Sequence, residues 1–137
     1  MGLAQLEKLP EIIRRKQEII GLYRKLLQTV PQVRFFSPPA DAEWVPFRTP
    51  VFCERAHSLM SFLTSREIES RTFFFPLHRQ PAFCYLQEDA GYHHSLADEH
   101  FPVSMAAYDE GVCLPIFPAL GSEQIEYVCE TIKEFYG

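Results

Sequence analysis

The chain has no apolar run approaching the ~20 residues needed to cross a bilayer, no CxxC cysteine pair, no excess of positive charge and no glycine-rich phosphate loop. Each absence removes a class of function. The missing run speaks against a membrane span. The opening MGLAQLEKLPEII lacks the charged-then-apolar order of a signal peptide, so a cytoplasmic location is expected. In a reducing compartment Cys53, Cys84, Cys113 and Cys129 read as small buried apolar residues rather than a disulfide framework. A net charge of -5 argues against nucleic acid as a partner, because phosphate binding needs a basic face. Arg14, Arg15 and Lys16 do cluster, but Glu11 and Glu18 flank them on one predicted helix, which describes a solvated mixed-charge face.

What is present is ordinary for a globular domain: 47% hydrophobic residues, 23% charged, and 12 phenylalanines leading the aromatics, in a length of 137 that suits one core. Leu6, Leu9, Ile13, Ile20, Tyr23 and Leu27 recur at helical intervals, with Lys16 and Gln17 interrupting the stripe. Pro10 predicts a break, giving a short helix to about Leu9 and a second to about Gln28. Residues 1–28 are thus read as N-terminal helices and 29–137 as an α/β sandwich. Val30 to Asp41 reads as an extended connector anchoring Phe35 and Phe36. Trp44 to Phe52, with Pro46 and Pro50, reads as an edge or irregular strand. A helix over Glu54 to Ser65, an aromatic strand over Thr72 to Leu77, a polar loop over Gln87 to Glu99, a short helix at Val103 to Tyr108 stopping at Gly111, a buried strand at Val112 to Phe117 and a helix from Ser122 to Phe135 complete the order. Gln124 stands where a capping-box partner would sit, although Gly121 has no side chain to complete the box. The fold class expected is a two-layer α/β (α+β) sandwich, a small, mostly antiparallel sheet with helices.

Four segments, GLAQLEKL (Gly2 to Leu9), IESRTFFFPLHRQP (Ile68 to Pro81), FPVSMAAYDEGVCLPIFP (Phe101 to Pro118) and SEQIEYV (Ser122 to Val128), come in an order and spacing that resemble the C-terminal third of the DegT/StrS pyridoxal-phosphate (PLP) sugar aminotransferases. PLHRQP is the most specific of them. The resemblance implies the small domain of that family, a few antiparallel strands with helices, and PLP as the cofactor of the parent enzymes. Transamination needs a lysine that forms a Schiff base with PLP. Lys8, Lys16, Lys25 and Lys133 are the only lysines, and none stands in the Ser/Thr-rich strand-end setting of the family's lysine. The family's phosphate-binding residues and pyridine partner would precede Met1, so no catalytic or cofactor-binding residue is carried over. Two positions depart from the family pattern. Glu67 stands where a glycine is usual and Gly121 where a threonine is usual, each costing about 1 kcal/mol if the backbone is as in the family.

In the family the PLHRQP loop lies near the mouth of the active site, which makes His78, and secondarily Gln80, the candidate substrate-binding residues. The alternative for His78 is a histidine bonded to backbone at a strand end. His93, His94, Asp98, Glu99 and His100 form a set of possible metal ligands, His94 and Asp98 sharing a face if that segment were helical. Gly91 and the polar run argue for a loop there, so no metal is expected. Cys113 has no base nearby and is not read as a nucleophile. Phe73 to Phe75 read as core packing rather than a base-stacking platform. Three hypotheses follow: a truncated or separately encoded C-terminal domain without activity of its own, partnered by a large-domain half; an interaction module that self-associates through Leu3, Leu6 and Leu9, which would face the large domain in a complete enzyme; and a residual PLP-binding enzyme.

Overall fold

A computed structural model describes residues 2–42, 44–87 and 95–137. Helix α1 spans Gly2–Leu27, followed by strands β1 (Val33–Phe35) and β2 (Thr49–Cys53), helix α2 (Ala56–Ser65) and the short strand β3 (Arg71–Thr72). Three 3₁₀ turns, Leu77–Arg79, Pro81–Gln87 and Asp98–His100, lead to helix α3 (Pro102–Glu110), strand β4 (Gly111–Leu114) and helix α4 (Ser122–Tyr136). All strand pairs are antiparallel, in the order β1-β2-β4-β3. The α+β class expected from the sequence is the class observed.

The period of two along the central strands decides the layers. Val51 and Cys53 of β2 and Val112 and Leu114 of β4 point into one core with Ile19, Tyr23 and Leu27 of α1, Leu59 and Leu63 of α2, and Ile125, Val128 and Ile132 of α4. Gly111 lies on β4 out of phase with that set. A Cβ there would stand 2.2 Å from the Ala107 carbonyl oxygen and 2.4 Å from the Phe73 ring. Only glycine lets the chain leave α3 and enter the sheet under Phe73.

Several expectations need correction. Pro10 does not break the first helix; α1 is continuous with Pro10 inside it. The proline removes one bond to Leu6, but both residues are exposed, so water can satisfy the freed carbonyl while Leu6, Glu7, Lys8 and Glu11 favour helix on either side. The connector contains β1, whose Val33, Arg34 and Phe35 pair with Cys53, Phe52 and Val51. β2 is therefore an interior strand and not an edge. It tolerates Pro50 because that residue's carbonyl accepts from the Phe36 N–H at 3.5 Å, just past the end of β1. Its missing N–H faces the same side, where no ladder bond is required. The aromatic strand shrinks to Arg71–Thr72, since β4 begins at Gly111 and offers nothing opposite Phe74 and Phe75. Of those phenylalanines only Phe73 is tucked in, 5.3 Å from the Phe52 ring; Phe74 is 74% exposed, contrary to the core role expected for all three.

The end of α2 explains Glu67. The Ile68 N–H donates to the Leu63 carbonyl at 2.9 Å and the Glu67 N–H to that of Thr64 at 3.0 Å, the two bonds of a Schellman cap. Glu67 occupies its left-handed position at φ 60°, and Leu63 and Ile68 are both buried. At the start of α4 the half-box appears as read from sequence: Gln124 Oε1 accepts from the Gly121 N–H at 2.9 Å, with no reciprocal side-chain bond from Gly121.

Candidate functional site

The turn after Pro76 is built by two local bonds, Arg79 N–H to the Pro76 carbonyl at 3.1 Å and Gln80 N–H to the Leu77 carbonyl at 3.0 Å. It carries the sequence-predicted site residues and points them differently. The His78 side chain is only 3% exposed. Its ring stacks on Phe101, 4.2 Å between centroids at 13°, and its Nε2 lies 3.1 Å from Asp98 Oδ1. Arg79 grips the same carboxylate with both Nε, at 2.8 Å, and Nη2. This fork, and secondarily His78, holds the Asp98 carboxyl at about 2, below its usual 3.8. Gln80 is half-exposed, with Nε2 donating to the Phe75 carbonyl at 3.2 Å. Asp98 and Phe101 enter the chain 20 and 23 positions after His78, so no local pattern announced this clasp.

Of the possible metal ligands, His93 and His94 lie outside the described residues. Asp98 is committed to Arg79 and His78, and His100 stands 3.7 Å from Glu99 on the exposed side. Among the described residues no three His, Cys, Asp or Glu side chains converge as a metal site. The arginine cluster on α1 behaves as a mixed-charge face: Arg14 bonds Glu11 and Glu18, and Arg15 also donates to the Leu120 carbonyl at 2.7 Å.

An open concavity of about 860 Å³, which the sequence did not reveal, runs between the end of α2, β3, β4 and α4, with Arg48, Arg66, Glu69, Arg71, Cys113 and Tyr127 on its wall. Its charges are largely self-matched, Arg66 with Glu134 at 2.5 Å and Arg71 with Glu69 at 2.6 Å. The Arg48 guanidinium lies 4.5 Å over the Phe74 ring. Burial raises the Cys113 thiol above its ordinary range despite the pull of Arg48, which leaves it a poor nucleophile. Cys53 and Cys129 are pushed by burial to about 12. Cys84, read from sequence as buried, is exposed because the 3₁₀ turn Pro81–Gln87 lies on the surface.

A Schiff-base lysine needs a walled, partly dry setting beside a cradle for the cofactor phosphate. Lys8, Lys25 and Lys133 are exposed, and Lys16 Nζ rests 3.4 Å from the Phe47 carbonyl and 5.9 Å over the Phe47 ring. None of them lines the concavity. None of the four lysines therefore stands in the walled setting that a Schiff base with PLP requires.

The sequence pattern of the DegT/DnrJ/EryC1/StrS aminotransferase family matches residues 1–133. The chain belongs to this family. A relative, GDP-perosamine synthase of Escherichia coli O157:H7, is 32% identical over 137 residues, covering 99% of this chain and 35% of that protein. The aminotransferase TlmJ from Streptoalloteichus hindustanus superposes with a TM-score of 0.79 at 28% identity, over 97% of this chain and 34% of that one. The sugar aminotransferase Spr1654 from Streptococcus pneumoniae, solved in its PLP form, superposes at 0.81 over 97% of this chain and 33% of its own, and at 19% identity shows the fold alone. The chain therefore spans about a third of the length of the curated relatives it matches. Among the described residues no helix is long and apolar enough to cross a membrane.

Proposed function

We propose that this chain acts as the small domain of a PLP-dependent nucleotide-sugar aminotransferase, working in the cytoplasm beside a lysine-bearing large domain and not catalysing transamination alone. The placement of the lysines supports this reading: Lys8, Lys25 and Lys133 are exposed on helices, Lys16 packs on Phe47, and none of the four lines the concavity of about 860 Å³, in a chain whose family needs a lysine on the cofactor. His78 and Gln80 are the residues of this domain assigned to the substrate side, Gln80 by its open amide and His78 by the turn it anchors. Assayed alone with PLP, an amino donor and a keto-sugar nucleotide, the chain gives no transamination. Turnover in the absence of any other protein overturns the reading.

The surface offered to the large domain is the first half of α1. Leu3, Leu6 and Leu9 are 73%, 64% and 42% exposed, on a helix whose second half is buried through Ile19, Ile20, Tyr23 and Leu27. Three leucines in line on an uncovered helix favour a partner or a second copy. Light scattering tests the self-associating version: Leu6→Glu lowers the apparent mass, whereas a strict monomer at high concentration contradicts it.

A further inference from the structure

In a domain that stands alone, the sheet face turned away from the core is expected to be polar. Here the period of two puts Pro50 and Phe52 of β2 and Cys113 of β4 on that face. One end of it is closed, since the Phe73 ring packs on Phe52 and over Gly111. The other end is open. Trp44, Val45, Phe47, Arg48, Phe73 and Phe74 wall a cavity of about 250 Å³, below the ~300–1,000 Å³ of sites that enclose whole small molecules and suited to one side chain. Phe47 is 73% exposed, Phe74 74% and Val45 53%, which leaves an apolar patch on the order of 400 Å², the scale that marks protein contacts.

Arg48 gives the patch its sign. The guanidinium lies 4.5 Å over the Phe74 ring and 5.7 Å over that of Phe47. Its bonds are long, to the Thr72 carbonyl at 3.5 Å and Cys113 Sγ at 3.9 Å, and both use Nη1. The Nε–Nη2 edge, with which Arg79 grips Asp98, meets no acceptor in Arg48 among the described residues. Arg14, Arg34, Arg66 and Arg71 each hold a carboxylate, whereas among the described residues none reaches Arg48 or Lys16, whose Nζ lies 5.9 Å over the Phe47 ring.

We infer that the Trp44–Phe47–Phe74 face is a docking surface for a protein segment that places an apolar side chain in the cavity and a carboxylate on the open edge of Arg48. Charge complementarity selects the occupant, since a second copy laid face to face would set Arg48 and Lys16 against their own kind. The identity of the partner rests on the domain reading above: the segment belongs to the large domain, and Lys16, on α1 and over Phe47, joins this face to the helix that carries Leu3, Leu6 and Leu9. The chemistry of the surface does not depend on that reading.

N-acetylphenylalanine, a ring with a carboxylate, is titrated into the whole chain beside its amide, which keeps the ring and loses the charge. Trp44 is the only tryptophan, so its emission reports the cavity, and nitrogen NMR of Arg48 Nε reports the open edge. The carboxylate binds about tenfold more tightly than the amide, the scale of one charge-assisted pair, and Arg48→Gln brings the two to the same affinity. Phe47→Ser, on an exposed side chain, weakens both probes and serves if the Arg48 variant does not fold. Equal affinities in the unaltered chain, no binding in the millimolar range, or a Trp44 emission that shifts with protein concentration, the mark of a second copy on this face, overturns the inference. Transamination by the chain alone would sink the domain reading and leave these affinities unchanged.

Discussion

Replacing Glu67 with glycine should stabilise the chain. Glu67 sits at φ 60° in the Schellman cap of α2, where both backbone bonds, to Leu63 and Thr64, survive any side-chain change. A residue with a Cβ pays roughly 1–2 kcal/mol in the left-handed region. Glycine gives back about 0.4–1 kcal/mol through its freer unfolded chain, so the net gain is about 0.5–1 kcal/mol. For a domain of this size that raises Tm by about 2–4 °C. Charge is the competing explanation, since Glu67 lines the concavity beside Glu69 and Glu123. Glu67→Ala separates the two: it removes the charge, keeps the Cβ, and should leave Tm near its starting value. Urea unfolding followed by circular dichroism gives the free energies. An alanine variant as stable as the glycine variant, or a glycine variant with no gain, refutes the backbone argument.

Thr49 is fully buried in β2 and its hydroxyl has no partner among the described residues, so the near-isosteric Thr49→Val should gain about 1 kcal/mol in the same urea assay, and a loss of that size would mean the hydroxyl has a partner after all. Thiol titration of the native chain should label Cys84 alone, because Cys53, Cys113 and Cys129 are buried with raised thiols, and all four should label after unfolding. Asp98 is held at about 2 against a usual 3.8, a depressed carboxylate, so its contribution to stability is fully present above the usual value and is lost as pH falls through about 2. Acid unfolding between those limits should flatten in Asp98→Asn; an unchanged acid profile contradicts the clasp.

The sequence carried most of the architecture, and its failures share a cause. The helix of α4 and the start of β4 at Gly111 are set by local periodicity and backbone chemistry and were legible, whereas the left-handed cap at Glu67 was expected from the resemblance, which has glycine there. Pro10, Pro50 and Phe74 were misread because their environments depend on what lies across from them: hydrated helix, the end of β1, and a partner strand that starts too late. The candidate site divides the same way. PLHRQP marked the turn, but Asp98 and Phe101, which decide where His78 points, come from a distant segment; Asp98 was visible only as a possible metal ligand and Phe101 only as the start of the segment that leads into α3. The exposure of Leu3, Leu6 and Leu9 was expected from the family resemblance rather than from the stripe itself, which resumes after Lys16 and Gln17 with buried Ile20 and Tyr23 at the same helical spacing.

The central claim, that this domain does not hold PLP through a lysine of its own, is tested most directly by incubating the purified chain with PLP, reducing with borohydride and mapping any modified lysine by mass spectrometry. The account predicts sub-stoichiometric labelling scattered over the exposed Lys8, Lys25 and Lys133, with an absorption spectrum equal to the sum of protein and free PLP. One lysine modified at full stoichiometry, with a shifted spectrum before reduction, would show that the chain builds a cofactor site by itself and would contradict it.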